Sequence, residues 1–304
     1  MDRVSSLFDR RFILKAVLPV LLIGCGAVAL TLVATGRAGA AVAYWERLGA
    51  AERVLLILAL LATVWFAAGL LGSQLRRVTQ FYEGYPLQRI PLLGGLTNGL
   101  VEYHLRRRDR WREDPKRADD VFYAYPQGDR SDFLPSALGN TLRAAEYYGK
   151  YRYDIPITFF WPRLFYLAPE QFRRDIEEYR TSYEWLLGVS FMTMLATVSV
   201  GLVELAAGSA WWLFLVTVGG GSLVSLAAYR AAVAAAEEFG AQLRAGVDLY
   251  RIEVLTALRW EAPGTLDEEK AMWKEARLFH LRGKPRLSPY SASPASSETR
   301  QQRA

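Results

Sequence analysis

Two apolar segments of the sequence carry small and hydroxyl-bearing residues at regular intervals. The two series are Ser190, Thr193, Thr197 and Gly201 in one segment and Thr217, Gly221 and Ser225 in the other. Steps of three and four residues place each series on one face of an α-helix. The hydroxyl groups could line a narrow pore. They could also let two helices approach closely and hydrogen-bond to each other, which we favour because the pattern is common in membrane helices.

A second candidate site lies in the aromatic-rich stretch between residues 133 and 172. It consists of charged side chains set among aromatic residues, together with one tryptophan: Arg143, Glu146, Asp154, Trp161 and Arg163. Charged side chains in such surroundings are expected to be partly buried and paired. A network that stabilises the fold is the more common meaning of this arrangement. A site for a ligand or a protein partner is the alternative.

Residues typical of catalytic and metal sites are sparse in this sequence. Histidine occurs only at His104 and His280, which are too far apart to form a metal-ligand pair on one helix, and Cys25 is the single cysteine. A disulfide within the chain is therefore excluded. The sequence also lacks a glycine-rich phosphate loop ending in Lys-Ser or Lys-Thr. We therefore predict a protein that is not an enzyme, with no catalytic, cofactor or metal site.

Four apolar runs are long enough to cross a bilayer. They cover residues 16–36, 54–75, 185–203 and about 210–229, and about 20 helical residues span the hydrocarbon core. The sequence thus predicts an all-α integral membrane protein with four transmembrane helices in two hairpins and a helical cytoplasmic body. The cores of these runs contain no ionisable residue, which disfavours an ion-coupled pump. Glu204 is expected just beyond the end of the third run.

The distribution of basic residues predicts the orientation. Arginines and a lysine precede the first run, Arg76 and Arg77 follow the second, and a basic cluster occupies residues 106–117. No Lys or Arg occurs between Arg180 and Arg230. The positive-inside rule therefore places both termini and the middle region in the cytoplasm. The net charge of +6 follows from this pattern and does not indicate a nucleic-acid partner.

Five regions follow from these patterns. Residues 1–75 form the N-terminal membrane hairpin, 76–184 the cytoplasmic helical and aromatic middle region, and 185–229 the C-terminal membrane hairpin. Residues 230–282 form a cytoplasmic helical extension, and the Pro-, Ser- and Arg-rich tail 283–304 is predicted to be disordered.

Local patterns predict the helices between the membrane runs. The third run should continue a helix that starts after Pro169, and the fourth should extend as one helix to about Trp260, with an apolar stripe that needs a partner surface from this chain or a neighbouring copy. Residues 136–149 are predicted to be helical. Residues 90–105 are either an interfacial or re-entrant segment or a plain amphipathic helix. Two prolines are expected to exclude a regular helix from residues 155–167.

The central stretch resembles a family of actinobacterial multi-pass membrane proteins without assigned function. The matching residues are Leu138, Gly139, Asn140, Arg143, Glu146, Trp161, Pro162, Arg163 and Leu164, together with the segment EGYPL at 83–87. The resemblance covers the middle third of the chain and the hairpin layout, and it implies no activity. The order of hairpin, cytoplasmic helices, hairpin and long cytoplasmic helix is also similar to that of bestrophin-type channels, but only in topology, because none of their sequence motifs occurs here.

Two functional hypotheses follow. In the first, the chain forms an oligomeric channel or pore-like assembly with the third and fourth spans near its axis. In the second, it is a membrane-anchored scaffold or sensor whose cytoplasmic body binds a protein partner. The hydroxyl-bearing faces favour the first hypothesis, and the absence of charge from the spans favours the second. The expected partners are the lipid bilayer, further copies of the chain in a homo-oligomer and a cytoplasmic protein.

Overall fold

The computed structural model describes residues 17–288, apart from the side chain of Thr158. The predicted basic N-terminal segment and residues 289–304 of the predicted tail lie outside the described residues. The secondary structure within 17–288 is helical, with no strand. The α-helices are α1 (Leu18–Ala34), α2 (Ala38–Arg47), α3 (Ala50–Glu83), α4 (Tyr85–Arg89), α5 (Gly94–Glu113), α6 (Asp120–Ala124), α7 (Ala137–Glu146), α8 (Tyr148–Tyr153), α9 (Ile157–Leu167), α10 (Glu170–Ala206), α11 (Trp211–Ala257) and α12 (Leu266–Arg282).

The chain divides into two compact units. The first, which we call the apolar unit, contains the described residues up to Tyr82 and Thr181–Ala234. The second, which we call the helical body, contains Glu83–Arg180 and the described residues from Ala235 onward. The division passes through α10 and α11, so each of these helices contributes one part to the apolar unit and the other to the body.

Three helices in the described part of the chain are long and apolar enough to cross a membrane, namely α3, α10 and α11. The first predicted span contains only the 17-residue helix α1, which covers about 25 Å at 1.5 Å per residue. After a turn at Gly36, which adopts a positive φ of 67°, the chain bends by 113° into α2. Counting α1 and α2 as one bent span gives four spans, so the structure supports at least three of the four predicted.

The continuity predicted for the two longest helices is confirmed. Helix α10 begins directly after Pro169 and runs for 37 residues through the predicted third span. Helix α11 runs for 47 residues, from the paired tryptophans Trp211 and Trp212 to Ala257. Its apolar stripe is covered by residues of the same chain, since Val247 and Val254 are buried in the core of the body.

The core of the body forms where α9, α11 and α12 meet. Phe160 and Trp273 make a T-shaped contact with ring centroids 5.5 Å apart, and Val254, Leu255 and Trp260 are fully buried beside them. Helix α12 begins with a capping box between Thr265 and Glu268, as the Thr-x-x-Glu spacing favours. Helix α12 therefore lies within the region 230–282 that was predicted to be helical.

The prediction that prolines exclude a helix from residues 155–167 is wrong. Pro156 caps α9, where a missing N–H is harmless because the first N–H groups of a helix lack partners in any case. Pro162 lies inside the helix at a cost of about 3 kcal/mol. Phe159, Phe160 and Leu164 are fully buried, and each buried side chain of this size contributes about 2 kcal/mol. Tertiary burial therefore outweighs the local preference.

Residues 90–105 form a single-turn 3₁₀ helix, Pro91–Leu93, followed directly by α5. Helix α5 continues through three glycines without a break and ends at Glu113, so it includes most of the basic cluster. The segment is therefore helical from Gly94 onward, and whether it lies at the membrane interface stays a prediction.

The start of the predicted disordered tail makes defined contacts. Gly283 ends α12 with a positive φ of 61°. The backbone N–H groups of Leu287 and Ser288 donate to the Glu275 carboxylate, and the Arg286 guanidinium lies 4.1 Å from the centroid of the Trp260 ring.

A buried asparagine fixes the start of α7. Asn140 Oδ1 accepts a hydrogen bond from the Leu134 N–H at 2.9 Å, and its Nδ2 donates to the carbonyl oxygens of Leu134 and Ser136 at 2.9 Å each. Ser136 caps the helix by accepting from the Gly139 N–H. A Cβ atom at Gly139 would lie 2.7 Å from the backbone oxygen of Glu83, so only glycine fits there.

We expect Asn140→Ala to lower the free energy of unfolding by about 2–4 kcal/mol, because it leaves the buried backbone groups of Leu134 without partners. Thermal unfolding in detergent measures the effect. The matched control is Asn98→Ala, because Asn98 is exposed on α5. Equal melting temperatures for the two variants would show that the Asn140 hydrogen bonds contribute nothing.

Candidate functional site

The hydroxyl-bearing series of α10 and α11 meet within the apolar unit. Ser190 Oγ donates to the Ser225 carbonyl oxygen at 2.9 Å, and Ser225 Oγ donates to the Ser190 carbonyl oxygen at 3.0 Å. The two hydroxyl oxygens are 3.1 Å apart. The Tyr82 hydroxyl, on α3, lies 2.8 Å from Ser190 Oγ. These hydroxyl groups therefore bond to one another and to the backbone of the facing helix.

Next to this pair, the helices approach closely at a glycine. A Cβ atom at Gly221 would overlap Thr197 Oγ1 and lie 3.0 Å from the Cβ and Cγ2 atoms of Thr197. The Thr197 hydroxyl donates to the Thr193 carbonyl oxygen within its own helix. Gly201 faces Val218, with 3.3 Å between its Cβ position and Val218 Cγ2. Small size is thus required at Gly221, and Gly201 is a second, less close approach of the two helices.

Thr217, on α11, hydrogen-bonds to a buried carboxylate. Thr217 Oγ1 donates to Glu204 Oε1 at 2.7 Å, and Glu204 is only 1% exposed. The second carboxylate oxygen, Oε2, is buried without a hydrogen-bond partner. Glu204 lies one residue beyond the predicted third run, 185–203, whose core contains no ionisable residue. The structure places it inside α10, which continues to Ala206, and its burial against α11 was not predicted.

The seven predicted pore or packing residues therefore lie on one surface between α10 and α11. Six of them contact the facing helix or a side chain on it, and Thr193 is buried on the same face of α10. Their hydroxyl groups do not surround a lumen within the single chain. The arrangement is that of a closely packed helix pair.

The predicted charged network in the body does not form one cluster. Arg143 Nη1 donates to the Asp132 carbonyl oxygen at 2.9 Å, and its guanidinium lies near the rings of Tyr85 and Tyr147. Glu146 lies one turn later on the same helix and is exposed. Among the described residues no ion pair joins the two side chains.

The other three predicted residues lie elsewhere in the body. Arg163 stacks on Phe159, with 3.7 Å between the guanidinium carbon and the ring centroid, and donates to the Phe159 carbonyl oxygen at 2.7 Å. Trp161 packs against the same core. Asp154 ends α8 in the left-handed conformation, with φ of 55°. Arg163 and Trp161 therefore contribute to packing of the body, and Asp154 allows the chain to change direction after α8.

Sequence reasoning missed a polar cluster centred on Asp248 of α11. Its carboxylate accepts hydrogen bonds from the hydroxyl groups of Tyr148, at 2.9 Å to each oxygen, and Tyr153, at 2.7 Å. One turn later, Arg251 forms an ion pair with Glu269 at 3.0 Å, and the same Glu269 oxygen accepts from Trp273 Nε1 at 3.3 Å. The cluster joins α8, α11 and α12, and its Tyr148–Asp248 contact alone connects residues 100 positions apart in the chain.

A buried histidine on α5 is uncharged at neutral pH. His104 is 5% exposed, and its Nδ1 lies 3.5 Å from the Tyr125 hydroxyl. Burial, with a further contribution from the positive charge of Arg107, lowers the pKa of His104 to about 4. Burial also raises the pKa of Tyr125 to about 12. The pair is therefore a neutral packing contact.

The second missed residue is Arg244 of α11. It is 4% exposed, and its three nitrogen atoms are buried without a hydrogen-bond acceptor in the described part of the chain. Its nearest groups are the rings of Phe122 and Tyr123, each with its centroid 4.9 Å from the guanidinium carbon.

Residues 17–288 contain no group of three His, Cys, Asp or Glu side chains arranged to hold a metal ion. Comparisons of the chain with protein-family models, with curated proteins and with solved structures found no match. The resemblance to the actinobacterial family therefore stays a prediction. The function has to be inferred from the geometry of the two units.

We expect Gly221→Ala to destabilise the apolar unit by about 1–3 kcal/mol, because the added methyl group overlaps Thr197. The measurement is thermal unfolding in detergent. Gly220→Ala is the matched control, since a Cβ atom there meets no atom within 4 Å. Adding Thr197→Ala to Gly221→Ala should restore part of the loss by removing the hydroxyl group that clashes. Equal stability of the two glycine variants would contradict the close approach.

Proposed function

We propose that this protein is a membrane-anchored scaffold or sensor, without enzymatic activity, whose helical body binds a protein partner. The observation that carries the proposal is the packing of α10 on α11. Six of the seven residues that could have lined a pore make hydrogen bonds or close contacts between these two helices, and Thr193 is buried on the same face. In this proposal the apolar helices hold the protein in the bilayer, and the body is the part that acts.

The surface of the body supports binding of a partner of mixed charge. An open groove along α5 is lined by side chains of both signs and an aromatic ring: Glu102, Tyr103, Arg106, Asp109, Arg110 and Glu113. Glu102 forms ion pairs with Arg106 and Arg130 at the surface. Exposed ion pairs add little stability, so their clustering here supports a role in recognition.

An oligomeric channel is the second candidate, and Glu204 is the observation that favours it. A carboxylate buried in an apolar helix pair is costly, and such groups are commonly retained for function. Because the hydroxyl faces are occupied within one chain, a pore would have to form between copies in a homo-oligomer. The similarity in topology to bestrophin-type channels belongs to this second candidate.

The proposed location is the bacterial inner (plasma) membrane, with four spans in two hairpins and both termini in the cytoplasm. The basic cluster that supports this orientation lies on α5 and in the segment after it, within the helical body. The resemblance to an actinobacterial family of multi-pass membrane proteins agrees with this proposal.

The choice between anchor and channel is tested by ion flux into liposomes that contain the purified protein. We expect flux no higher than in liposomes without protein, because the polar face of the helix pair is closed. Glu204→Gln provides the comparison, since it keeps the shape of the side chain and removes its charge. Flux in the wild type that Glu204→Gln abolishes would overturn the anchor and establish the channel.

The orientation is tested by inserting topology reporters at five positions. We expect cytoplasmic signals at Ser5, Asp119 and Ser296 and external signals at Ala40 and Gly208, because basic residues remain on the cytoplasmic side. An external signal at Asp119 would contradict the proposed topology.

A further inference from the structure

The buried guanidinium of Arg244 forms no ion pair among the described residues. Arginine stays protonated inside proteins, so this side chain carries a full positive charge. It is 4% exposed, and Nε, Nη1 and Nη2 all lack an acceptor in the part of the chain that the structure describes. A buried charge without pairing and hydrogen bonds is strongly unfavourable. The fold therefore leaves a requirement for negative charge at this position.

The nearby carboxylates do not meet this requirement. Asp248 lies one helical turn after Arg244, the spacing at which an ion pair commonly forms. Its two oxygens instead accept hydrogen bonds from Tyr148 and Tyr153. Glu237, two turns before Arg244, is close enough to interact with it electrostatically, yet no ion pair joins the two side chains among the described residues. The carboxylate of Asp120 is close enough to interact electrostatically with that of Glu237.

Aromatic rings compensate for only part of the charge. Phe122 and Tyr123 meet edge to face with centroids 5.2 Å apart, and the guanidinium carbon lies 4.9 Å from both. A cation–π contact favours the charge but provides no acceptor for the N–H groups. The hydrogen-bonding capacity of all three nitrogens is therefore still unused.

The Arg244 guanidinium is closely packed on one side and lies beside a partly exposed tyrosine on another. A Cβ atom at Gly240 would lie 3.4 Å from Nη2 and 3.0 Å from the Cβ atom of Ala145, so α7 and α11 leave no spare volume there. Tyr123, in contrast, is 42% exposed. The guanidinium therefore lies against a side chain that is itself partly exposed to solvent.

We propose that Arg244 is the anchor of a binding site for an oxyanion, either a phosphate or a carboxylate group, that enters beside Tyr123. A planar guanidinium can donate two parallel hydrogen bonds to such a group. The oxyanion supplies both the missing charge and the missing acceptors. Soluble ligands and lipid headgroups share this chemistry, and the experiment separates them. The inference does not depend on whether the protein is a scaffold or a channel.

The test is thermal unfolding of the full-length protein in uncharged detergent during titration with inorganic phosphate. Sodium chloride at matched ionic strength controls for screening. We expect a saturable rise in melting temperature of several degrees with phosphate. Arg244→Lys should weaken the apparent affinity several-fold, since it loses the planar pair of donors, and Arg244→Met should abolish the rise. Arg230→Met, which removes an exposed arginine from the same helix, should leave it unchanged.

A parallel titration with micelles that contain an anionic phospholipid identifies the source of the oxyanion. A rise that depends on Arg244 and occurs only with these micelles assigns the site to a lipid headgroup, and a rise with inorganic phosphate assigns it to a soluble ligand. A rise that persists in Arg244→Met, or no saturable rise in either titration, overturns the proposal and leaves Arg244 as a packing residue.

A further measurement on the wild type covers the case in which Arg244→Met does not fold. Phosphate, or the anionic micelles if they are the source, should slow hydrogen exchange of the backbone amides in α6 and around Gly240. Unchanged exchange at saturating concentration would also overturn the proposal.

Discussion

The close approach of α10 and α11 is the constraint on which the apolar unit depends. It requires the absence of a side chain at Gly221, because any Cβ atom there would overlap Thr197. The approach in turn lets Ser190 and Ser225 reach each other's carbonyl oxygens. In a bilayer no water would be present to satisfy these groups, so they have to bond within the protein. Residues committed in this way provide no lining for a pore within one chain.

The helical body buries charged side chains under two different conditions. Asp248 and Glu269 accept hydrogen bonds from tyrosine and tryptophan side chains, and Glu269 also pairs with Arg251. These groups are satisfied within the chain and join three helices. Arg244 lies one turn from Asp248, but its nitrogen atoms have no hydrogen-bond partner among the described residues, and two aromatic rings lie beside its guanidinium. This contrast within a single helix distinguishes a structural cluster from a position that needs an external partner.

Two buried charged residues have polar atoms without a partner among the described residues: Glu204 in the apolar unit and Arg244 in the helical body. They bear on different functions. Glu204 has one partnered and one unpartnered oxygen in the apolar unit, and it is the observation behind the channel candidate. Arg244 has no partner among the described residues of the body, which is the feature expected of a module that binds a ligand. The body's groove on α5 and its aromatic core give the anchor hypothesis more support than Glu204 alone gives the channel.

The sequence by itself determined the helical elements, because helix formation depends on patterns that repeat within a few residues. The start of α10 after Pro169 and the length of α11 follow from apolar spacing and from helix start and stop signals. The same reasoning failed at α9, where it judged Pro162 by its local effect. Burial of Phe159, Phe160 and Leu164 in a core built from distant segments decided that helix.

Only the tertiary structure decided which polar side chains meet. The series on α10 and α11 could be predicted to share a face, but their register, which pairs Ser190 with Ser225 and Glu204 with Thr217, depends on the turn between the helices. The contact of Asp248 with Tyr148 joins residues 100 positions apart, and the isolation of Arg244 depends on α6 packing beside α11. Local periodicity carries no information about such distances, because they result from how complete helices pack against one another.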